Sequence, residues 1–275
     1  MRNLTLLCAL GLAALAGTAS AQDVLLYSNG TPPPQLTTGP TTDSGVAAPA
    51  GTTWSEVQHP TGDLTLANTS AGATETQGQF RLADDFTVPA GPGWTVNFVE
   101  LHAYQTNAPA TPSPFTAATV QIWGPCTPGT VPGAAGCTAI AFGDTTTNRL
   151  VSSTDATLFR AFNTVAPPPG TPPGTTRKVW RQQVSLGVSL APGYYWVDWS
   201  TTTFNAGAHF APSITVPGSR GLPGWNARQF AVATSTWAAV VDAGNPASAP
   251  DVPQDQTFEL YGVITPVELQ SFEIK

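Results

Sequence analysis

The amino-acid sequence predicts an all-β protein, an antiparallel β-sandwich of the jelly-roll type with about ten or more strands and long Pro/Gly/Thr loops. Three observations lead to this prediction. No stretch carries apolar residues at helical spacing along one face. The 27 prolines and 26 glycines in 275 residues interrupt the chain throughout. The segment 178–190 alternates apolar and polar side chains, which is typical of a strand with one face in water.

The first predicted element, residues 1–21, has the order of a secretory signal peptide. Arg2 gives a positive start, an apolar run of about 13 residues follows, and small residues end the segment at Ala21. A membrane-spanning helix needs roughly 20 apolar residues, and no later stretch is that long. Cys8 lies too early in the run for lipid attachment. We therefore expect cleavage before Gln22 and a secreted protein, extracellular or periplasmic, with no membrane span.

We expect a single sandwich domain over residues 22–265, followed by a C-terminal tail over 266–275. Segments rich in Pro, Gly and Thr predict surface loops at 31–50, 167–174 and 243–253. No internal repeat occurs at a fixed period, which argues against a propeller or a solenoid. Strand-like runs lie near residues 24–28, 79–88, 94–104, 117–123, 138–142, 157–164, 178–190, 193–200, 228–233 and 257–264.

Removal of residues 1–21 leaves two cysteines, Cys126 and Cys137, in a compartment where disulfides persist. The segment between them is rich in turn-forming residues, so a bridge would close a short loop and contribute on the order of 3 kcal/mol. A redox or metal-binding pair is the alternative. Redox pairs favour Cys-x-x-Cys spacing and zinc needs more ligands, so we predict a structural disulfide.

The charge pattern bears on possible partners. Charged residues make up 10% of the chain and the formal net charge is −7. The basic residues cluster only at Arg177, Lys178 and Arg181. Because nucleic-acid binding needs a basic surface, we expect no nucleic-acid partner.

Three motifs carry a resemblance to known proteins. They read LADDFTVPAG at 82–91, FGDTTTNR at 142–149 and LAPGYYWVDW at 190–199. In these motifs the chain resembles a group of uncharacterised secreted bacterial β-sandwich proteins, over most of its length after the signal segment. The resemblance implies an extracellular bacterial sandwich and brings no catalytic residues with it.

Aromatic side chains occupy both faces of the expected strand 193–200. Tyr194, Trp196 and Asp198 share one face, and Trp199 lies on the other. Rings beside a carboxylate are typical of sugar-binding surfaces, because sugar C–H groups stack on rings and hydroxyls need acceptors. These four residues are therefore candidate glycan-binding residues. The alternative is that the protein itself covers both faces.

Asp84 interrupts an apolar row of alternate residues that runs from Phe80 to Val88. Unpaired burial of this carboxylate would cost several kcal/mol, so it needs an arginine, backbone donors or a cation. We expect an ion pair. The alternative is calcium, shared by Asp84 or Asp85 with carbonyl oxygens of a neighbouring loop. Asp144 is then either a further calcium ligand or a turn-forming aspartate.

Signatures of catalysis are scarce in this chain. It has no Gly-x-Ser-x-Gly, no His-Glu-x-x-His, no glycine-rich phosphate loop, and three histidines, His59, His102 and His209. We therefore expect a non-catalytic protein that binds a glycan or another extracellular surface. The first alternative is a carbohydrate-active hydrolase with two carboxylates such as Asp84 and Asp198. The second alternative is a structural envelope or matrix protein.

Overall fold

In the computed structural model, which describes residues 22–57, 71–161, 173–243, 248 and 250–265, sixteen β-strands and no helix are present. The all-β prediction is confirmed. The expected signal segment and C-terminal tail lie outside the described residues. The strands are β1 Val24–Ser28, β2 Thr53–Glu56, β3 Ala73–Thr74, β4 Phe80–Val88, β5 Trp94–Tyr104, β6 Phe115–Cys126, β7 Ile140–Gly143, β8 Leu150–Ala161, β9 Lys178–Leu190, β10 Gly193–Thr203, β11 Phe210–Ala211, β12 Arg228–Ala231, β13 Thr236–Ala239, β14 Val241–Asp242, β15 Val252–Pro253 and β16 Phe258–Ile264.

Two sheets pack face to face. The larger sheet has the order β1-β16-β5-β9-β8-β2, with β11 beside β5 and β3 beside β11. The smaller sheet has the order β13-β12-β4-β10-β6-β7. The strands β2 and β8 pair in parallel, whereas the other pairs of described strands are antiparallel. The sandwich prediction is therefore confirmed as well.

The core lies between the two sheets, and alternation along each strand decides which side chains enter it. Strand β9 shows the rule, because Val184 is fully buried whereas Arg181 and Ser185 on the opposite face are exposed. The largest core cluster includes Leu82, Phe86, Val88, Trp94, Val96, Val99, Leu101, Val120, Ile122, Val184, Leu186, Tyr195, Val197, Trp199, Phe258 and Leu260.

A second, smaller cluster covers one end of the outer face of the larger sheet. The segment before β2 folds back over this face, and β2 itself joins the sheet beside β8. The rest of the outer face, along β5, β9 and β16, stays open. The members of the smaller cluster are Leu36, Ala71, Tyr104, Leu158 and Val179.

Arg160 on β8 ties the covering segments to the larger sheet. Its side chain is fully buried. Nε donates to the carbonyl of Ala71 at 2.8 Å, and Nη1 donates to the hydroxyls of Ser55 at 2.8 Å and Thr215 at 2.6 Å. Nη2 donates to the carbonyl of Ser213 at 3.1 Å. Burial lowers the pKa of Arg160 to about 10, so the guanidinium stays charged at neutral pH.

Candidate functional site

The aromatic strand β10 lies inside the smaller sheet, and both of its faces are buried. Tyr194 is 9% exposed, and Trp196, Asp198 and Trp199 are each 1% exposed. Trp199 points between the sheets, where its indole N–H donates to Oε2 of Glu75 at 2.7 Å. The rings of this strand cannot stack on a sugar while they are covered. The expectation of an exposed aromatic platform is therefore wrong, and the protein covers both faces itself.

The predicted disulfide between Cys126 and Cys137 is present, and it closes the loop that covers the outer face of β10. The indole N–H of Trp196 donates to the carbonyl of Thr130 in this loop at 2.9 Å. Both cysteines pack with Tyr194 and Trp196 in one apolar cluster. The disulfide loop, residues 127–136, thus replaces solvent above the tryptophan.

Asp198 belongs to a polar network on the same outer face. Nε of Arg81 lies 3.0 and 3.2 Å from its two carboxylate oxygens, and the indole N–H of Trp123 donates to Oδ2 at 3.0 Å. The Arg81 guanidinium carbon lies 4.1 Å from the ring centre of Phe230 and 5.5 Å from that of Trp237. Burial raises the pKa of Asp198 to about 6 although Arg81 opposes the rise. This network holds five strands of the smaller sheet together.

Asp84 points into the sandwich, and amide groups bind it. Its Oδ2 accepts from Nδ2 of Asn29 and from the backbone N–H of Gln256, each at 2.7 Å, and Oδ1 accepts from the N–H of Asp85 at 2.9 Å. Among the described residues no lysine or arginine forms an ion pair with it, so the expected ion pair is wrong. Burial, with repulsion from Asp255, raises the pKa of Asp84 well above its usual range.

The hydrolase pair that the sequence suggested is also separated. Asp84 is the register partner of Val197, whereas Asp198 is the partner of Ala83. Because neighbouring residues of a strand point to opposite faces, the carboxyls of Asp84 and Asp198 lie on opposite sides of the sheet. They cannot flank one glycosidic bond.

The three aspartates predicted as calcium ligands do not form one site. Asp84 and Asp85 are neighbours on β4, whereas Asp144 follows β7, three strands and about 14 Å away at the usual strand spacing. Asp144 accepts from the N–H of Thr147 at 2.6 Å and pairs with Arg149 at 3.3 Å, so it forms the turn. Within the described ranges, no three His, Cys, Asp or Glu side chains are grouped to hold a metal ion. Asp144 therefore does not join Asp84 or Asp85 in one calcium site, whereas the alternative of calcium held by Asp84 or Asp85 with loop carbonyl oxygens stays a prediction.

A groove of about 520 Å³ lies on the open part of the outer face of the larger sheet. Strands β5, β9 and β16 supply its floor. Pro33, Pro34 and Thr53 line it from the covering segments, and β8 closes the remaining side. The register between β8 and β9 shifts between Asp155 and Leu158, and a bulge of this kind bends a strand. The floor carries the side chains Glu100, His102, Arg181, Glu259 and Tyr261.

The carboxyls of Glu100 and Glu259 form a pair on the groove floor. The two residues are direct partners on antiparallel strands, so their side chains leave the same face of the sheet. The pKa of Glu259 is raised to about 7, mainly by burial. The charge of the Glu100 carboxyl and a hydrogen bond with it add to this rise. Arg181 opposes this rise, and its Nη1 lies 3.8 Å from Oε2 of Glu100. Glu259 therefore gains or loses its proton near neutral pH.

His102 lies beside this pair. It is two residues from Glu100 on β5 and hence on the same face. It is 2% exposed, and its Nδ1 has no hydrogen-bond partner in the part of the chain that the structure describes. Burial, with a contribution from Arg181, lowers the pKa of His102 to about 3, so the ring is neutral. Buried ring nitrogens are usually bonded, so the unpaired Nδ1 marks this floor as a candidate ligand site.

Neither a family model nor a curated protein nor a solved structure matches this chain. The resemblance to secreted bacterial sandwiches stays a prediction. In the described ranges no helix has the length and apolar character needed to cross a membrane.

Sequence reasoning missed the groove, although one signal for it was present. Glu100 and His102 interrupt an otherwise apolar row of alternate residues, Trp94, Val96, Phe98 and Tyr104, with two titratable groups. The partner Glu259 lies far away in sequence, and strand pairing over that distance cannot be read from alternation alone. The assembly of Glu100, Arg181 and Glu259 therefore becomes visible only in the sheet order.

Proposed function

We propose that this protein is a secreted, non-catalytic binding protein and that the groove above Glu100 and Glu259 takes a glycan. The observation that carries the proposal is the pair of carboxyls, Glu100 and Glu259, that the register of β5 and β16 places on the floor of a groove, next to the unpaired Nδ1 of His102. Secretion is supported by the signal-like order of residues 1–21 and by the disulfide, which fits an oxidising compartment.

The groove offers the groups that sugar rings require. The carboxyl oxygens accept hydrogen bonds, the protonated form of Glu259 also donates one, and Arg181 adds donors at the same floor. Tyr261 supplies an aromatic ring at one end, where it stacks on Phe98 with ring centres 4.9 Å apart. Sugars combine hydroxyls with apolar C–H faces, so a floor of carboxyls beside a ring suits them.

Binding of the chain without residues 1–21 to an array of neutral, amino and acidic glycans tests the proposal. Tyr261→Ala and Glu259→Gln should each weaken the observed binding by about tenfold or more. Asp251→Asn is the control, because Asp251 is exposed and does not line the groove, and this variant should bind as the parent chain does. Absence of binding to every glycan, or equal binding by all variants, would contradict the proposal.

A carbohydrate-active hydrolase is the second candidate, because a carboxyl with a pKa near 7 can act as a general acid. Glycosidase carboxyls flank the bond at roughly 5 Å or more, whereas Glu100 and Glu259 are within hydrogen-bonding reach of each other. The geometry therefore favours binding over hydrolysis. Hydrolysis would become the favoured function if the protein released reducing sugar from a bound glycan and the Glu259→Gln variant did not.

A further inference from the structure

We propose that the groove selects sugars that carry a free, protonated amino group, so that its ligand is a hexosamine-containing glycan without N-acetylation. This inference rests on the proposed function and narrows its ligand class. It follows from the charges and the hydrogen-bonding capacity of the groove floor.

Among the described residues, the groove has more carboxyl groups than it has cationic side chains that are available to form ion pairs with them. Lys178 is already paired with Asp155, with Nζ and Oδ2 2.7 Å apart. Among the described residues that line the groove, Arg181 is therefore the one cation near Glu100 and Glu259. Its Nη1 lies 3.8 Å from Oε2 of Glu100, which is long for a charge-assisted hydrogen bond. An ionised pair would leave one carboxylate without a partner. A ligand cation can supply that partner.

The hydrogen-bonding groups of the floor also match an ammonium group. An ammonium donates three hydrogen bonds and accepts none. The carboxyls of Glu100 and Glu259 supply the acceptor oxygens on one face of the sheet, and the neutral ring of His102, which is 2% exposed, lies beside them. A carboxylate or sulfate on a sugar would be repelled by the same pair. An N-acetyl group would remove the charge that the pair can bind.

The proton of Glu259 links this selection to pH. The charged or titratable groups that face the pair are His102 from β5, Arg181 from β9, Asp155 from β8 and Tyr261 from β16. The segment after β1 and strand β2 contribute only uncharged residues, namely Pro33, Pro34, Thr37 and Thr53. When an ammonium enters beside Glu259, this carboxyl ionises and its proton leaves to solvent. Binding of an amino sugar should therefore release protons, whereas binding of a neutral sugar should not.

Calorimetry with three oligosaccharides of equal length and linkage tests the inference, at about 0.15 M salt so that general attraction to the acidic chain is screened. The probes are oligomers of glucosamine, N-acetylglucosamine and glucose. At about pH 5.5, where the amino groups of the sugar are already protonated, the glucosamine oligomer should bind at least about tenfold more tightly than the other two. Its heat of binding should change between buffers of different ionisation enthalpy, because a proton is released.

The double variant Glu100→Gln/Glu259→Gln should reduce glucosamine binding to the level of the glucose oligomer and abolish proton release. Asp251→Asn should retain both properties, and thermal unfolding of each variant confirms its fold. Equal or tighter binding of the acetylated or glucose oligomer would overturn the inference and leave the proposed function intact. Failure of all three oligomers to bind, together with the glycan array, would contradict the proposed function itself. Equal binding of a lysine peptide would show recognition of any ammonium and would overturn the assignment to sugars.

Discussion

The indole N–H of Trp196 donates to the carbonyl oxygen of Thr130 at 2.9 Å, across the gap between a central strand and the disulfide loop. The loop thus has a second attachment besides its covalent one. We expect Cys126→Ser/Cys137→Ser to lower the free energy of unfolding by on the order of 3 kcal/mol. Tryptophan fluorescence should shift to the red in the folded variant, because water reaches Trp196. Denaturant unfolding with unchanged midpoint and unchanged fluorescence would contradict this role.

Arg160 should be among the most sensitive positions of the larger sheet. Arg160→Met leaves the hydroxyls of Ser55 and Thr215 without their donor and should cost about 3 kcal/mol or more, since the lost partner was buried and charged. Arg149→Met is the matched control, because its ion pair with Asp144 lies at the surface and should contribute less than about 1 kcal/mol. Chemical unfolding of both variants measures the difference. Similar losses for the two arginines would contradict the argument.

Stability should fall as the pH rises from about 5 to about 8. Burial raises the pKa of Glu75 from 4.5 to about 7, against the hydrogen bonds from Thr201 and Trp199 that lower it. The folded state therefore holds a proton that the unfolded chain has released between these pH values, so unfolding is favoured as the pH rises. The melting temperature should be higher at pH 5 than at pH 8. Glu75→Gln should reduce this dependence, and a dependence that does not change would exclude Glu75 as its source.

Asp84→Asn should destabilise the protein by about 1–3 kcal/mol, because an amide N–H₂ would face an N–H donor from Asn29, Gln256 or Asp85 whichever way it turns. Asp144→Asn is the control. Its Oδ1 accepts the turn hydrogen bonds, and an asparagine oxygen can replace it there. Thermal unfolding should separate the two variants. Equal melting temperatures would mean that the donors around Asp84 rearrange at no cost.

The strands and their faces follow from the sequence because alternation is a local property. The parity of Val184, Leu186 and Val188 on β9 predicts which side chains meet the core, and the structure buries them. The disulfide was predictable for a similar reason, since a turn-rich segment separates two cysteines. These features depend on neighbours along the chain.

The burial of the aromatic strand was not predictable in the same way. Alternation indicates that Trp196 and Trp199 point to opposite faces, but it does not show which loop covers the outer one. The glycan-binding candidates on this strand were wrong because the disulfide loop occupies the space that a ligand would need. Likewise, Glu100 and Glu259 meet only because β5 and β16 are neighbours in the sheet.

The pairing of β1 with β16 also determines how the protein responds to mechanical tension. Val24 lies opposite Gly262 and Ser28 lies opposite Glu259, so the ladder begins where β1 starts and β16 is close to its end. A force on the two flanking segments acts at this one end of the ladder. The hydrogen bonds then break one after another, as in a zipper, rather than together in shear. The pair Ser28 and Glu259 lies at the far end of the ladder and opens last. The part of the ladder next to the groove is therefore the last to separate under tension.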